Sequence, residues 1–378
     1  LNAQGGSLVI AGGALQETNK EVYQELIRLA GGNEKARIVV IPSASGVPVQ
    51  SFIHFRKNLI RYGLPPERVE LIEIALMDDD STIHTEESLW IGNAGSETWA
   101  EKVRKATAVW FTGGDQMRTL KALKSNDGRE TPVLKAVWEV YNNGGVVGGT
   151  SAGAAIMSSI MIGGGNSIGA LRYGITDVYA SNEQQETGAL FLTRGLGFFP
   201  GGIVDQHFDK KARLGRLAVA VLGSCPQLPF GFGVDENTAM VYSATRNEIK
   251  VFGAAGVTIL DATEASIGRD SGYTTLQNLK LSYLTSGDVF CLSDSHVVPN
   301  PEKRLTTGNE YYHIPQPPQA GLLSGYRNTL ADLITVNLID NSGTQWVRDI
   351  SFTDAGLGYQ LTFSKTGESR GSYARSSE

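Results

Sequence analysis

The chain has 378 residues, of which 41% are hydrophobic and 19% charged, which is typical of a globular protein with one large domain or two ordinary ones. A net charge of -6 and the lack of any Lys/Arg run argue against general nucleic-acid binding. No apolar stretch reaches the roughly 18–20 residues of a membrane span, so we expect no membrane partner.

Short apolar runs alternate with helical patterns over the first two-thirds of the chain. This alternation predicts an α/β fold with a mostly parallel sheet flanked by helices. The predicted strands are, in chain order, residues 6–13, 36–42, 69–74, 107–112, a short strand before the glycine turn at Gly149, 203–204, 239–242 and 249–252. The predicted helices are one through residues 22–29, then 52–62, one through 120–123, 133–141 and 208–221.

The texture of the sequence changes after about residue 262, where segments become polar and strand-rich. Proline-containing stretches at 299–301 and 315–318 are typical of linkers. We therefore predict an α/β domain over residues 1–300, which would carry any catalytic site. A small β-containing extension of unknown role is predicted over residues 301–378.

Ser151 lies in the segment GGVVGGTSAGAAIM, which is unusually rich in glycine and alanine. Gly149 to Gly153 match the G-x-S-x-G nucleophile elbow, between a short strand and an alanine-rich helix start. Small neighbours would let a serine project from a tight strand-to-helix turn. The same pattern is also typical of a packing corner or a phosphate cradle, although no P-loop lysine follows.

A nucleophilic serine needs a histidine base that an acid orients. His207 follows an apolar pair at a predicted strand end, where α/β folds place their chemistry. A structural histidine is the alternative. The other histidines fall in surface-like or late strand-rich segments, at His54, His84, His296 and His313. The candidate acids are Asp205, Asp209, Asp235 and Glu236.

The order Ser, His, Glu would differ from the order Ser, acid, His of α/β-hydrolases.

Basic residues follow His207 on the predicted helix 208–221, for which Asp209 is the predicted N-cap. Cations in a first helical turn oppose the helix dipole, and Arg213 and Arg216 would share a face at i,i+3 spacing. They form either a solvated surface or a site for a carboxylate-rich substrate.

Four segments occur in an order that resembles cyanophycinases. They are GGDQ at 113–116, GGTSAGA at 148–154, DQHF with the basic residues after it at 205–216, and GVDENTA at 233–239. The resemblance covers about residues 5–295. It implies a class I glutamine-amidotransferase-like fold and a serine exopeptidase, related to dipeptidase E, that cleaves cyanophycin to β-Asp-Arg dipeptides. Cyanophycin is a polyaspartate with arginine on each β-carboxyl.

Position by position, the resemblance implies that Ser151 is the nucleophile, His207 the base and Glu236 the orienting acid. The elbow itself predicts the Ala152 N–H as an oxyanion donor, and we expect the Gly113–Gly114 turn to supply a second donor at Gly114. The reaction requires no metal and no cofactor. The implied substrate-binding residues are Gln116, Asp205, Gln206, Lys211, Arg213 and Arg216. Lys211 stands where the family has arginine, so the charge is kept but the bidentate carboxylate geometry is lost.

Three alternatives stay open. One is an α-aspartyl dipeptidase of the dipeptidase E type, and another is an α/β-hydrolase esterase with His296 or His313 as base. The third is a non-enzymatic ligand cradle. The oligomeric state is also open, with a homodimer as one option.

The first residue, Leu1, is not a methionine, which a removed signal peptide or a trimmed start would explain. With the polar extension, this favours an extracellular protein, and the cytoplasm is the alternative.

Cys225 and Cys291 are the only cysteines, and the sequence fits a disulfide or two buried thiols.

Overall fold

The computed structural model describes residues 5–125, 127–179, 186–324, 329–352, 356 and 358–374. Its largest sheet is mixed. In spatial order the strands are His296–Val298, Val289–Cys291, Glu248–Gly253, Thr238–Ser243, Ser7–Ala11, Val146–Thr150, Ala108–Phe111, Ile38–Ile41 and Val69–Leu71. The last five pair in parallel, and the first four add antiparallel strands at one side. The α/β class is thus confirmed.

The central parallel strands are buried on both faces because helices cover each of them. On the strand Ser7–Ala11, Leu8 and Ile10 belong to one core cluster while Val9 and Ala11 belong to another, as the period of two in a strand requires. The first cluster includes apolar residues of the helix Pro132–Asn142, and the second includes those of Lys20–Leu29.

Helices are present at the predicted positions 22–29, 52–62, 120–123 and 133–141, and the structure adds others that were not predicted. The α-helices are Lys20–Leu29, Gly32–Lys35, Pro48–Arg61, Glu97–Arg104, Gln116–Leu123, Pro132–Asn142, Ala152–Ala155, Ser167–Tyr173, Leu214–Ser224 and Thr329–Asp332. The structure also has 3-10 segments at Pro66–Arg68 and Glu87–Gly95 and a π-helical segment at Leu333–Ile339. In the described ranges, no helix has both the length and the apolar character needed to cross a bilayer.

A second sheet of four strands carries the chain toward the predicted histidine. Its spatial order is Lys280–Thr285, Gly256–Asp261, Phe230–Val234 and Ile203–Gln206. The last two strands run parallel, with Gln206 opposite Val234. The residues that follow these two strands therefore leave the same edge of the sheet side by side.

Smaller sheets complete the described fold. They are Ile160–Gly164 with Leu190–Arg194 and Ile175–Thr176; Ser266–Asp270 with Tyr273–Gln277; Arg304–Leu305 with Ser372–Tyr373; and Gln319–Ala320 with Trp346–Phe352 and Gly358–Ser364. Apolar residues of the extension, such as Leu330 and Val347, share a core cluster with the helix Leu214–Ser224. The division at residue 300 stays a prediction.

The predicted helix over 208–221 is wrong in its first half, since the helix runs from Leu214 to Ser224. Residues 208–212 form turns because His207 and Ala212 have φ angles of 47° and 53°, which an α-helix does not accept. Asp209 is not the N-cap of this helix. Lys210 and Lys211 precede it, and Arg213 is the residue at its N-cap position.

The two cysteines do not form a disulfide. Cys225 and Cys291 are free thiols, and each is half-buried rather than fully buried.

Candidate active site

Ser151 occupies a strained turn between a buried strand and a single turn of helix. The strand Val146–Thr150 precedes it and the helix Ala152–Ala155 follows it. Its φ of 55° and ψ of −113° are unusual for a residue with a side chain. The N–H of Ser151 donates to the carbonyl oxygen of Ala11 at 3.0 Å, and its own carbonyl accepts from Ala154 and Ala155. The turn is thus fixed from both sides.

The glycines around Ser151 are required by close approaches of the backbone. A Cβ on Gly149 would lie 2.5 Å from the carbonyl oxygen of Gly153, and one on Gly153 would lie 2.4 Å from that of Phe111. A Cβ on Gly148 would lie 2.8 Å from the ring of Trp110. The segment is therefore both a packing corner and the support of a projecting serine.

His207 links Ser151 to an acid through both of its ring nitrogens. Nε2 lies 2.9 Å from Ser151 Oγ, and Nδ1 lies 2.7 Å from Glu236 Oε1. A carboxylate accepts hydrogen bonds only, so Nδ1 carries the proton and Nε2 is left to accept from the serine hydroxyl. The parallel strands that end at Gln206 and Val234 bring His207 and Glu236 together.

The other three candidate acids have different partners. Asp205 pairs with Arg216, Asp209 accepts from the backbone N–H groups of residues 330 and 331, and Asp235 accepts from Tyr283. Among the four candidates, Glu236 is the acid with a hydrogen bond to His207.

Burial sets the charge state of His207. Its side chain is 16% exposed, and this burial lowers the pKa of the imidazole. The hydrogen bond to Glu236 opposes the shift, while the charges of Arg213 and Lys211 reinforce it. The net lowering leaves the ring neutral near pH 7, the form that can accept a proton from a serine hydroxyl.

The turn Gly113–Gly114 passes directly beside the serine. A Cβ on Gly113 would lie 3.3 Å from Ser151 Cβ. Gly114 has a φ of 136°, and a Cβ there would lie 2.0 Å from the carbonyl oxygen of Ala44. The N–H groups of Gly114 and Ala152 stay predictions as oxyanion donors.

Two of the predicted basic residues converge on one carboxylate. Lys211 Nζ and Arg213 Nη2 lie 2.6 and 2.7 Å from Glu186 Oε1. Arg213 Nη1 also donates to the side-chain oxygen of Gln206 at 2.8 Å. Burial would raise the pKa of Glu186, but the charges of Arg213 and Lys211 outweigh it and hold that pKa at about 2. Glu186 is therefore ionised at working pH.

Arg216 and Asp205 form a buried pair behind this cluster, with side chains only 2% and 1% exposed. Arg216 Nε and Nη2 donate to the two carboxylate oxygens at 2.7 and 2.5 Å, and Nη1 donates to the carbonyl of Gly165 at 2.7 Å. Gln116 is also engaged within the protein, since its Nε2 donates to Ile162 and Gly163 carbonyls. Substrate binding by these three residues stays a prediction.

The remaining histidines are exposed, as their sequence positions indicated for two of them. His54, His84, His296 and His313 all lie on the surface. His313 Nδ1 lies 2.6 Å from the hydroxyl of Ser342, not of Ser151. An esterase arrangement with His296 or His313 as base finds no support in these contacts.

The sequence profile of peptidase family S51 matches residues 7–249, which is more than half of the chain. The chain belongs to peptidase family S51. It is therefore a serine-type peptidase. The extension over residues 301–378 lies outside the matched range.

Curated cyanophycinases are among the relatives of this S51 peptidase. Those of Nostoc sp. and Trichormus variabilis are each 31% identical over 299 residues, covering 77% of this chain and 87% of the relative. That of Geminocystis herdmanii is 31% identical over 289 residues, covering 75% and 92%.

A solved structure of a peptidase from an acI-B1 Actinobacterium has the same fold. It superposes with a TM-score of 0.51 at 22% identity and covers 77% of this chain and 98% of that one.

Two residues in the candidate site of this S51 peptidase were not predicted from the sequence. Gly13 lies against the imidazole of His207, and its only signal was the glycine pair that ends the first strand. Glu186 lies far from Lys211 and Arg213 in sequence, and no motif marks it.

Proposed function

We propose that this peptidase is a cyanophycinase that uses Ser151, His207 and Glu236 to release β-Asp-Arg dipeptides from cyanophycin. The observation that carries the proposal is the hydrogen-bonded series Ser151 Oγ, His207 Nε2, His207 Nδ1 and Glu236 Oε1. Ser151 and Glu236 each lie within hydrogen-bond distance of one ring nitrogen of His207, as a nucleophile, its base and the orienting acid must.

The reaction begins when His207 Nε2 accepts the hydroxyl proton of Ser151 and Oγ attacks a backbone aspartyl carbonyl. Glu236 stabilises the imidazolium that forms, and the N–H groups of Gly114 and Ala152 donate to the developing oxyanion. His207 then protonates the leaving amine. Water, deprotonated by His207 in turn, hydrolyses the resulting ester of Ser151.

Charge near the serine supports an Asp-Arg substrate. Each unit of cyanophycin carries a free carboxylate and a guanidinium group, so its site needs cations and anions together. Lys211 and Arg213 supply the cations for the substrate carboxylate, which would take the place of Glu186, the anion that pairs with both in the free protein. The 31% identity to curated cyanophycinases supports the same substrate.

Incubation with purified cyanophycin, with products identified by mass, tests the proposal. We expect release of β-Asp-Arg by the wild type and loss of at least ~10³-fold in activity for Ser151→Ala and His207→Ala. The matched control is His296→Ala, since this histidine is exposed and is not part of the proposed triad. Cleavage of Asp-X dipeptides without β-Asp-Arg release would select the dipeptidase instead. Full activity of His207→Ala would overturn the triad.

A further inference from the structure

The C-terminal extension is joined to the segment that follows His207 by one buried carboxylate. Asp209 is 5% exposed, and its Oδ1 and Oδ2 accept from the backbone N–H groups of Leu330 and Ala331 at 2.9 and 3.1 Å. These donors belong to the helix Thr329–Asp332. Asp209 thus caps a helix, but one whose residue Leu330 lies 121 positions later in the chain.

The same residue also joins the segments that carry His207 and Glu236. The backbone N–H of Asp209 donates to Asp235 Oδ1 at 3.0 Å. Asp235 immediately precedes Glu236, and its Oδ2 accepts from the Tyr283 hydroxyl at 2.9 Å. Asp209 is therefore bound on its backbone side to the acid's segment and on its side-chain side to the extension.

Apolar packing reinforces this connection at the residue between His207 and Asp209. Phe208 is fully buried in a core cluster that includes Leu330, Leu333 and Ile334 of the extension. Its ring covers Gly233, where a Cβ would lie 2.3 Å from Phe208 Cγ. The extension is therefore joined to the segment after His207 by two hydrogen bonds and by a shared apolar core.

Backbone strain explains why such anchors would matter for the reaction. His207 has a φ of 47°, in a region that non-glycine residues avoid, and such a conformation persists only when the surroundings hold it. The strain lies one residue before Phe208 and two before Asp209. A segment free to relax would move the imidazole away from Ser151 and Glu236.

We propose that Asp209 is a positioning residue through which the extension of residues 301–378 holds His207 in line with Ser151 and Glu236. The inference rests on the proposed triad. It gives the extension, which lies outside the range matched by the family, a role in the reaction at a distance from the reacting atoms.

The test compares Asp209→Ala and Asp209→Asn with a matched variant, Asp349→Asn. Asp349 is also a buried carboxylate, and it accepts from the Leu322 N–H and the Ser351 hydroxyl, which both belong to the extension. The probe is a fluorophosphonate, whose rate of reaction with Ser151 reports the nucleophile independently of the peptide substrate. Thermal unfolding of each full-length variant establishes the temperature at which it is folded.

We expect folded Asp209→Ala to be labelled at least ~10-fold more slowly than wild type, because a misplacement of about 1 Å costs on the order of 10²-fold. Asp209→Asn keeps one acceptor oxygen, so its labelling rate should fall between those of the wild type and Asp209→Ala. With cyanophycin as substrate, kcat should fall while KM stays unchanged. Asp349→Asn should be labelled at the wild-type rate, even where its thermal stability is lower.

Labelling of folded Asp209→Ala at the wild-type rate would overturn the positioning role, as would equal slowing in Asp349→Asn and Asp209→Asn. Where Asp209→Ala does not fold, Asp209→Asn decides by the same criterion. Wild-type protein that resists labelling would instead overturn the triad, and the positioning role with it. Labelling of the wild type without cleavage of cyanophycin would contradict only the proposed substrate. The labelling rates of the variants would still decide the positioning role.

Discussion

The imidazole of His207 lies directly against Gly13, so closely that a Cβ on Gly13 would stand 2.3 Å from Nε2 and 2.4 Å from Cε1. The backbone makes the same approach, because the His207 N–H donates to the carbonyl oxygen of Gly12 at 2.7 Å. The glycine pair at the end of the first strand is thus part of the histidine's binding surface.

Gly13→Ala is expected to displace the imidazole and to lower kcat/KM by about 10²-fold or more. The methyl group cannot share space with Nε2, which must stay 2.9 Å from Ser151 Oγ for proton transfer. The measurement is steady-state kinetics on a variant shown to be folded by circular dichroism.

The control for Gly13→Ala is Gly272→Ala. Both glycines have positive φ, at 103° and 87°, so both substitutions introduce backbone strain of about 1 kcal/mol. Among the residues that the structure describes, no atom lies within 4 Å of where a methyl group on Gly272 would stand, so only Gly13→Ala adds a clash. Equal activity losses in the two variants would contradict the role of the clash.

Glu236→Gln should lower kcat/KM by roughly 10²–10⁴-fold, since an amide no longer stabilises the imidazolium or fixes the tautomer. The hydrogen bond that His207 donates to Glu236 raises the pKa of the imidazole, so its weakening should lower that pKa further. Activity requires the neutral ring and is lost as pH falls through the pKa. The acidic limb of kcat/KM should therefore move to lower pH.

The pH profile of kcat/KM checks the expectation for Glu236. A limb that moves to higher pH in Glu236→Gln, or stays in place, would contradict it. Glu17→Gln provides a control, since Glu17 pairs with Arg61 on the surface and its substitution removes the same charge away from the site.

Arg216→Ala is expected to reduce the free energy of unfolding by about 3–5 kcal/mol. The substitution leaves the carboxylate of Asp205, 1% exposed, without its bidentate partner in a buried environment. Arg129→Ala is the control, because its side chain and that of its partner Asp127 are 83% and 52% exposed, and surface pairs contribute about 0–1 kcal/mol. Denaturant unfolding measures both, and equal losses would show that burial of the Arg216 pair has no special cost.

Glu186→Gln should lower KM for cyanophycin by about 3–10-fold if Lys211 and Arg213 bind substrate carboxylates. Glu186 pairs with both cations in the free protein, and its pKa of about 2 keeps it charged. Gln keeps the acceptor oxygen but weakens the competition with a substrate carboxylate. A rise in KM would indicate that Glu186 itself binds the substrate.

Much of the α/β architecture is predictable because local patterns determine it. Continuous apolar runs such as residues 38–41 and 108–111 mark strands buried on both faces, and the sequence predicts both within two residues of their bounds. The apolar spacing over residues 208–221 is helical and therefore predicts a helix, but the first half of that prediction is wrong because the helix begins at Leu214. His207 and Ala212 have positive φ, and both bind residues distant in sequence, since the His207 N–H donates to Gly12 and the Ala212 carbonyl accepts from Ser167.

Residue types at short spacing were enough to locate the elbow around Ser151 and to select His207. The packed fold was needed to show which acid faces His207, that Arg216 is bound to Asp205, and that Asp209 is bound to residues 330 and 331. These pairings join residues on different strands and helices. Their partners depend on how the two sheets and the extension pack, which no local pattern records.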